Sequence, residues 1–401
     1  MTEFQSLFKD ASIQQFNAYS QAIFKQLSIC HTAQKGVHRL RCSDEKCGKE
    51  QLQYHACGNR HCPHCGGFKR EEWIENRMQE LLPTAYYHLV FTLPHELNPL
   101  ILGNRKKLYK LLFDSASQTI LQHSKMPEYI GAECGITMIL HTWGQELTFH
   151  PHVHCIVTAG GYTGKEWLAS KRKSNNFLFP EKSMRKMYKA KFLDGIKKLN
   201  LKKEGVEYDK IIREIGFKKW NVYAKAPFGG PAQVVEYVGR YTHKIAITKH
   251  RIVSVTDREV RFRYKDYADG DKQKVMTLSR EEFLRRFELH FLPSYFTKIR
   301  HYGFLQNNGK RKRLGHIREL LQLSPLRPVI RIPVQQRILE KYGKDITLCP
   351  CCKIGRLVIV YTKRFGTKPI TNQSLNRFIE YKPRSQHFKR SKQINVIPRG
   401  I

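Results

Sequence analysis

The chain has 401 residues, with 71 Lys and Arg against 34 Asp and Glu, a formal net charge of +37. Its mean hydropathy is −0.52, and no run approaches the roughly 18 apolar residues that a spanning helix needs, which excludes an integral membrane protein of that kind. Such self-repulsion is best balanced by a polyanion whose condensed counterions Lys and Arg displace, so nucleic acid is the expected partner and a membrane is not.

The first residues, MTEFQSLFKDASIQQF, show no basic stretch followed by an apolar one. No signal peptide is read there, and a cytoplasmic, DNA-associated protein is expected. Six of the 11 cysteines then crowd between Cys30 and Cys65. In an unsecreted chain such a cluster reads as metal ligation rather than disulfides. Cys30, His38, Cys42, Cys47, Cys57, His61, Cys62 and Cys65 make eight soft ligands, the number that two tetrahedral Zn²⁺ sites require. Cys62-Pro-His-Cys65 is a tight knuckle; Cys42 to Cys47, followed by Gly48, is a looser one. The preferred pairing joins Cys42 and Cys47 with Cys62 and Cys65, and Cys30 and His38 with Cys57 and His61. His31, His55 and His64 are alternatives for one of these places.

Residues 68–82 (FKREEWIENRMQELL) have helical periodicity through Trp73, Arg77 and Leu81, closed by Pro83. Residues 86–93 (YYHLVFTL) read as a strand and 104–124 as an amphipathic helix. The β-branched runs 136–142 and 153–158 predict a hairpin or neighbouring strands. At the start of the second run stands His150-Pro-His152-Val-His154. Side chains two apart on a strand share a face, so His152 and His154 project together and offer half a site for a divalent ion. Gln145 is the candidate third ligand, with Glu146 and His150 as rivals.

Further along, 183–199 aligns Met184, Met187, Tyr188, Phe192, Ile196 and Leu199 on one helical face, most simply as core. Residues 220–225 read as a strand, and Gly229-Gly230-Pro231 opens a helix. That helix carries Tyr237-Val-Gly-Arg-Tyr241-Thr-His-Lys244. Tyr237 and Tyr241 are four apart and share a face, which Lys244 joins. Taken alone, the pair could be core packing. Gly239 between them counts against that, since mid-helix glycine costs about 1 kcal/mol relative to Ala and leaves room for a close neighbour. A strand over 260–264 and a capping box at Ser279–Glu282 follow. Cys349-Pro-Cys351-Cys352 holds one knuckle pair without a second downstream, so His387 or a distant residue would have to complete a site. From about Thr362 the chain is polar and basic and reads as a loose tail.

Short strands alternating irregularly with helices, without a Gly-rich βαβ fingerprint, predict an α+β fold around an antiparallel sheet. A metal on His152 and His154 would suit a phosphodiester, and a tyrosine beside it would suit covalent attack on phosphorus. Lys244 could lower the phenol's pKa or stabilise transition-state charge.

These residues resemble the HUH superfamily of single-strand endonucleases, specifically the two-tyrosine rolling-circle transposases of the insertion sequence ninety-one family. The likeness runs in order through the cysteine module with Asn59-Arg-His-Cys-Pro63, HLVFTLPHEL, HTWGQELTFHPHVHCIVTAGG, AKAPFGGPAQVVEYVGRYTHKIAI and FLRRFELHFLPSYFTKIRHYGFL. The resemblance implies an HUH-like central antiparallel sheet with helices. It places His152 and His154 as ligands of Mg²⁺ or Mn²⁺, and Tyr237 and Tyr241 as nucleophiles that nick and rejoin single-stranded element ends through 5′-phosphotyrosine. The expected organisation is a zinc module with linker helix (1–82), the tyrosine nuclease domain (83–305) and a basic C-terminal region (306–401). Gly164-Lys165-Glu166 lacks the spacing and hydroxyl of an ATP-binding loop, so unwinding is expected to come from host replication or helicase proteins.

Overall fold

The apolar runs of the middle third become inner strands of one antiparallel sheet, because a chain buried on both faces selects β-branched and aromatic residues. The computed structural model describes residues 3–65, 67–171, 178–204, 206–225, 233, 239, 246–267, 269–326, 332–364 and 370–371. Its strands are β1 (Gly36–Cys42), β2 (Glu50–Tyr54), β3 (Tyr86–Thr92), β4 (Glu133–Trp143), β5 (Phe149–Tyr162), β6 (Trp167–Ala169) and β7 (Val222–Lys225). After these come β8 (Ile252–Val255), β9 (Glu259–Asp266), β10 (Lys272–Ser279), β11 (Ile299–Gly303), β12 (Leu357–Arg364) and β13 (Ile370–Thr371). The helices are α1 (Glu3–Leu7), α2 (Ala18–Ser28), α3 (Gly67–Gln79), α4 (Asn98–Gly103) and α5 (Arg105–Lys125). They continue with α6 (Glu181–Lys197), α7 (Tyr208–Phe217), α8 (Arg280–Glu288), α9 (Lys310–Leu320) and α10 (Val334–Tyr342). Among the described residues no helix is long and apolar enough to cross a membrane.

The central sheet runs β11-β4-β5-β3-β7, with β6 paired to β5. One face meets α5 and α6. Val153, Cys155 and Val157 of β5 are buried there with Leu112, Phe113 and Ala116 of α5 and Tyr188, Phe192 and Ile196 of α6. Of the expected stripe, Met184, Tyr188, Phe192 and Ile196 are buried in α6, Leu199 packs beside them just past its end, and Met187 is only half-buried. On the other face, Tyr86, Ile139 and Ile156 form a small apolar cluster covered by Trp73, Leu81 and Ile299. The same face becomes polar one step along β5, where Ile156 gives way to His154 and His152.

A three-stranded sheet, β10-β9-β8, packs against the N-terminal helices through a phenylalanine cluster that includes Phe8, Phe24, Phe262, Phe283, Phe287 and Phe291. The Ser279 hydroxyl caps α8 by accepting the Glu282 amide at 3.1 Å. Glu282 turns its carboxylate to Arg285 and Arg286.

The third sheet, β13-β12-β1-β2, moves the start of the expected loose tail: Thr362–Arg364 and Ile370–Thr371 are strand, and the remainder of that tail, with His387, lies outside the described residues. β12 pairs with β1 in antiparallel register from Gly36↔Arg364 to Cys42↔Leu357, with an irregularity at Arg39/Leu40. Thr362 is buried and its hydroxyl meets His38 Nδ1 at 2.8 Å. Residues on either side of the 305/306 boundary thus share structure: the C-terminal segment completes the sheet of the N-terminal module.

Candidate active site

β4 and β5 pair antiparallel, so residues whose numbers sum to a constant face one another; His141 opposes His152, and Ile139 opposes His154. His141, His152 and His154 therefore converge on one face. One ligand nitrogen from each lies within 4.8 Å of the others. The His152 and His154 Nε2 atoms are 3.1 Å apart, close to the roughly 3 Å between neighbouring ligands on one ion with bonds near 2.1 Å.

The other ring nitrogens are held from behind. His152 Nδ1 donates to the His150 carbonyl at 2.7 Å, and His154 Nδ1 meets His88 Nε2 at 2.8 Å. His152 Nδ1 must donate to that carbonyl, so its Nε2 carries a lone pair facing His154 Nε2. With His154 Nδ1 donating to His88, both Nε2 lone pairs would be free for one cation. Burial lowers the His152 pKa to about 4, with His150 adding to the effect, so the ring is neutral at pH 7. His141 is fixed by stacking on Trp143, ring centroids 4.6 Å apart. A set of three imidazoles fits a divalent transition ion and favours Mn²⁺ over Mg²⁺.

Gln145, the third ligand expected from sequence, stands on the wall of the same cleft but donates its amide nitrogen to the Tyr267 hydroxyl at 3.1 Å. The third group that the fold brings to the pair is His141. Sequence reasoning passed over it because it stands in another run; hairpin register was the signal that finds it. His150 and Glu146 also line the cleft.

The imidazoles open into a cleft of about 590 Å³. Its lining also includes Lys265 and Asp266 of β9, Arg251 and Tyr267 just beyond the strands of that three-stranded sheet, and Tyr223 of β7. Tyr223 is 55% and Tyr267 65% exposed; the Lys265 ammonium stands 5.3 Å over the Tyr267 ring, leaving its other face open to stacking. Burial lowers the Arg251 pKa to about 10, which leaves it charged at neutral pH. The arrangement can hold a phosphate and flanking bases beside a metal.

Tyr237, Tyr241 and Lys244 lie outside the described residues. Gly239, between the two tyrosines in sequence, is helical and buried. A Cβ there would run into Ile74 and approach the Trp73 ring at 3.7 Å. The close neighbour anticipated for this glycine is thus α3, whose Trp73 covers the same sheet face that bears the histidines.

The cysteines regroup relative to the sequence pairing. Cys30, Cys57, Cys62 and Cys65 form one cluster, and Cys42 and Cys47 join Cys349 and Cys352 in another. In the first, Cys30–Cys65, Cys30–Cys62 and Cys57–Cys65 sulfur distances are 3.3, 3.5 and 3.7 Å, near the roughly 3.8 Å between sulfurs around tetrahedral zinc. The Cys57 and Asn59 amides point at the Cys30 and Cys57 sulfurs, as thiolates require. His38 is diverted because β1 places it against Thr362. His61 is diverted into the core, where its ring packs 4.9 Å from Phe291 and its Nε2 accepts the Leu292 amide at 3.4 Å.

Residues 135–313 match a family described as "Putative transposase", and residues 1–93 one described as "Transposase zinc-binding domain". The "Putative transposase y4qJ" of Sinorhizobium fredii is 38% identical over 355 residues, covering 84% of this chain and 88% of its own. The "Transposase for insertion sequence element IS801" of Pseudomonas savastanoi pv. phaseolicola is 28% identical over 363 residues, covering 88% and 85%. No solved structure matches the chain.

Proposed function

This chain belongs to the insertion sequence ninety-one family of transposases, and we propose that it nicks and rejoins single-stranded DNA at element ends by HUH-type chemistry. The observation that carries this reading is the convergence of the His152 and His154 Nε2 atoms with His141 at a cleft walled by Arg251, Lys265, Tyr223 and Tyr267. An antiparallel sheet that displays imidazoles from its inner strands supports the HUH assignment.

In this mechanism the strand enters the cleft with its backbone against Arg251 and Lys265 and bases on the exposed tyrosine rings. Mn²⁺ or Mg²⁺ held by the three imidazoles would polarise a non-bridging phosphate oxygen. The Tyr237 or Tyr241 Oη attacks phosphorus in line. An Oη–P bond forms, the P–O3′ bond breaks, and the phenolic proton ends on the departing 3′-oxygen directly or through water. Lys244 stabilises charge on the phenolate or the transition state. The bond energy stays in the phosphotyrosine, so a later 3′-hydroxyl, of the element or of the target, reverses the step. The second tyrosine permits a second transfer before the first strand is released. Host replication or helicase proteins would expose the strand, and the protein would act in the cytoplasm, bound to DNA. Gly239, which lies between the two tyrosines in sequence, packs against Ile74 and Trp73, and Trp73 in turn covers the apolar part of the face that bears the histidines; this supports a role for that segment beside the site.

The test uses a labelled single-stranded element end, Mn²⁺ and the full chain. A labelled protein band that survives SDS is expected, and Tyr237→Phe or Tyr241→Phe should remove at least one strand-transfer step with DNA affinity nearly unchanged. Adduct formation undiminished in the double Phe variant would place the nucleophile elsewhere.

A further inference from the structure

We infer that the chain holds a second structural zinc ion in a site split between its two ends, with Cys42 and Cys47 from one and Cys349 and Cys352 from the other. Two of these ligands lie far beyond the matched zinc-binding region, residues 1–93. The inference is independent of the strand-transfer chemistry.

The geometry is that of two facing knuckles. The Cys42–Cys352 and Cys47–Cys349 sulfurs are 3.6 and 3.8 Å apart, against roughly 3.8 Å expected for a tetrahedral zinc thiolate. Each loop turns an amide toward a sulfur: Asp44 N to Cys42 at 3.4 Å and Gly355 N to Cys352 at 3.3 Å. Gly355 must be glycine here, because a Cβ would collide with the Cys42 sulfur and crowd Asp44. The loops are also sewn to one another, Ser43 N to the Arg356 carbonyl at 2.8 Å and Arg356 N to the Ser43 hydroxyl at 2.9 Å. Cys351, inside the same Cys-Pro-Cys-Cys run, is exposed and takes no part in the cluster.

The site also has something to hold. Between β11 and the second knuckle, the chain crosses α3 and leaves ion pairs there: Lys310 with Glu80 at 2.7 Å, Arg337 with Glu75 at 3.3 Å, and Lys341 with Glu71. These pairs are partly buried but stand at the edge of the molecule, and ion pairs of this kind weaken as salt rises. A metal clip closing a loop of this length removes much more freedom from the unfolded chain. The second zinc therefore locks the C-terminal segment across α3, the helix against which Gly239 packs.

Native mass spectrometry of the full chain should find two zinc ions in the wild type and in Cys351→Ser. One is expected in Cys349→Ser and one in Cys57→Ser. In Cys349→Ser, limited trypsin should also release the C-terminal segment while residues around Cys57 stay protected. One zinc in the wild type, or two in Cys349→Ser, would overturn the inference. If Cys349→Ser does not yield soluble protein, wild-type chain produced on Co²⁺ answers the same question. Absorption of two tetrahedral thiolate cobalt sites per chain supports the split site, and absorption of one overturns it.

Discussion

At the histidine end of the central sheet, ligands are placed by backbone register. His141 faces His152 because β4 and β5 are paired, and His88 reaches His154 from the neighbouring strand. A large core on the opposite face keeps that register whether or not an ion is bound. The cysteine module is built differently. β2 is almost wholly exposed, with Leu52 and Tyr54 open to solvent, and Cys30, Cys57, Cys62 and Cys65 come from loops and helix ends. One site is preorganised by a sheet; at the others a bound metal would supply much of the order that loops lack.

The sharpest way to break this contrast is to strip metal. A strong chelator should abolish hydrogen-exchange protection in β1, β2 and β12 while β3, β4 and β5 keep theirs. Equal loss in both regions would mean that the sheet also depends on thiolate metal. Next in size, His152→Ala should lower Mn²⁺-dependent adduct formation by about 100-fold or more, comparable to losing a catalytic ligand, with zinc content unchanged by mass. Coupled zinc loss would show that the two kinds of site are not separate.

Acid should act on the sheet region in a defined window. Burial lowers His290 and His301 to about 3 each, whereas in the unfolded chain they titrate near 6.5. The unfolded state binds the extra protons, so this contribution is complete above about pH 6.5 and declines as pH falls toward 3. The slope is about 1.4 kcal/mol per pH unit for each histidine. Urea midpoints measured at pH 7.5 and 5.5 should differ accordingly, and His301→Gln should reduce the difference. The smallest effect is at Gly239. Gly239→Val should destabilise by about 1–3 kcal/mol through overpacking against Ile74, and Ile74→Ala should relieve part of it, as thermal melts of the single and double variants would show.

Much of the sheet was legible because its signals are local. The runs at 86–93, 136–142 and 153–158 announce strands, and the stripe from Met184 to Ile196 announces a buried helix face, observed as α6. His152 and His154 needed only the two-residue period of a strand. His141 needed register as well, a relation between runs that neither reveals by itself. The cysteine pairing was illegible for a stronger reason: Cys42 meets Cys349 and Cys352 across some three hundred residues of chain, and spacing says nothing about such a meeting. His38 and His61 have the chemistry of ligands, but Thr362 and Phe291 were the neighbours that decided their use.

The pairing of β1 with β12 also sets an order of events during synthesis. β1 cannot find its partner until residues 357–364 have followed it out of the ribosome, so a chain terminated before them leaves an open strand edge beside β1. Translation through β12 is thereby a condition for closing the sheet that β1 opens.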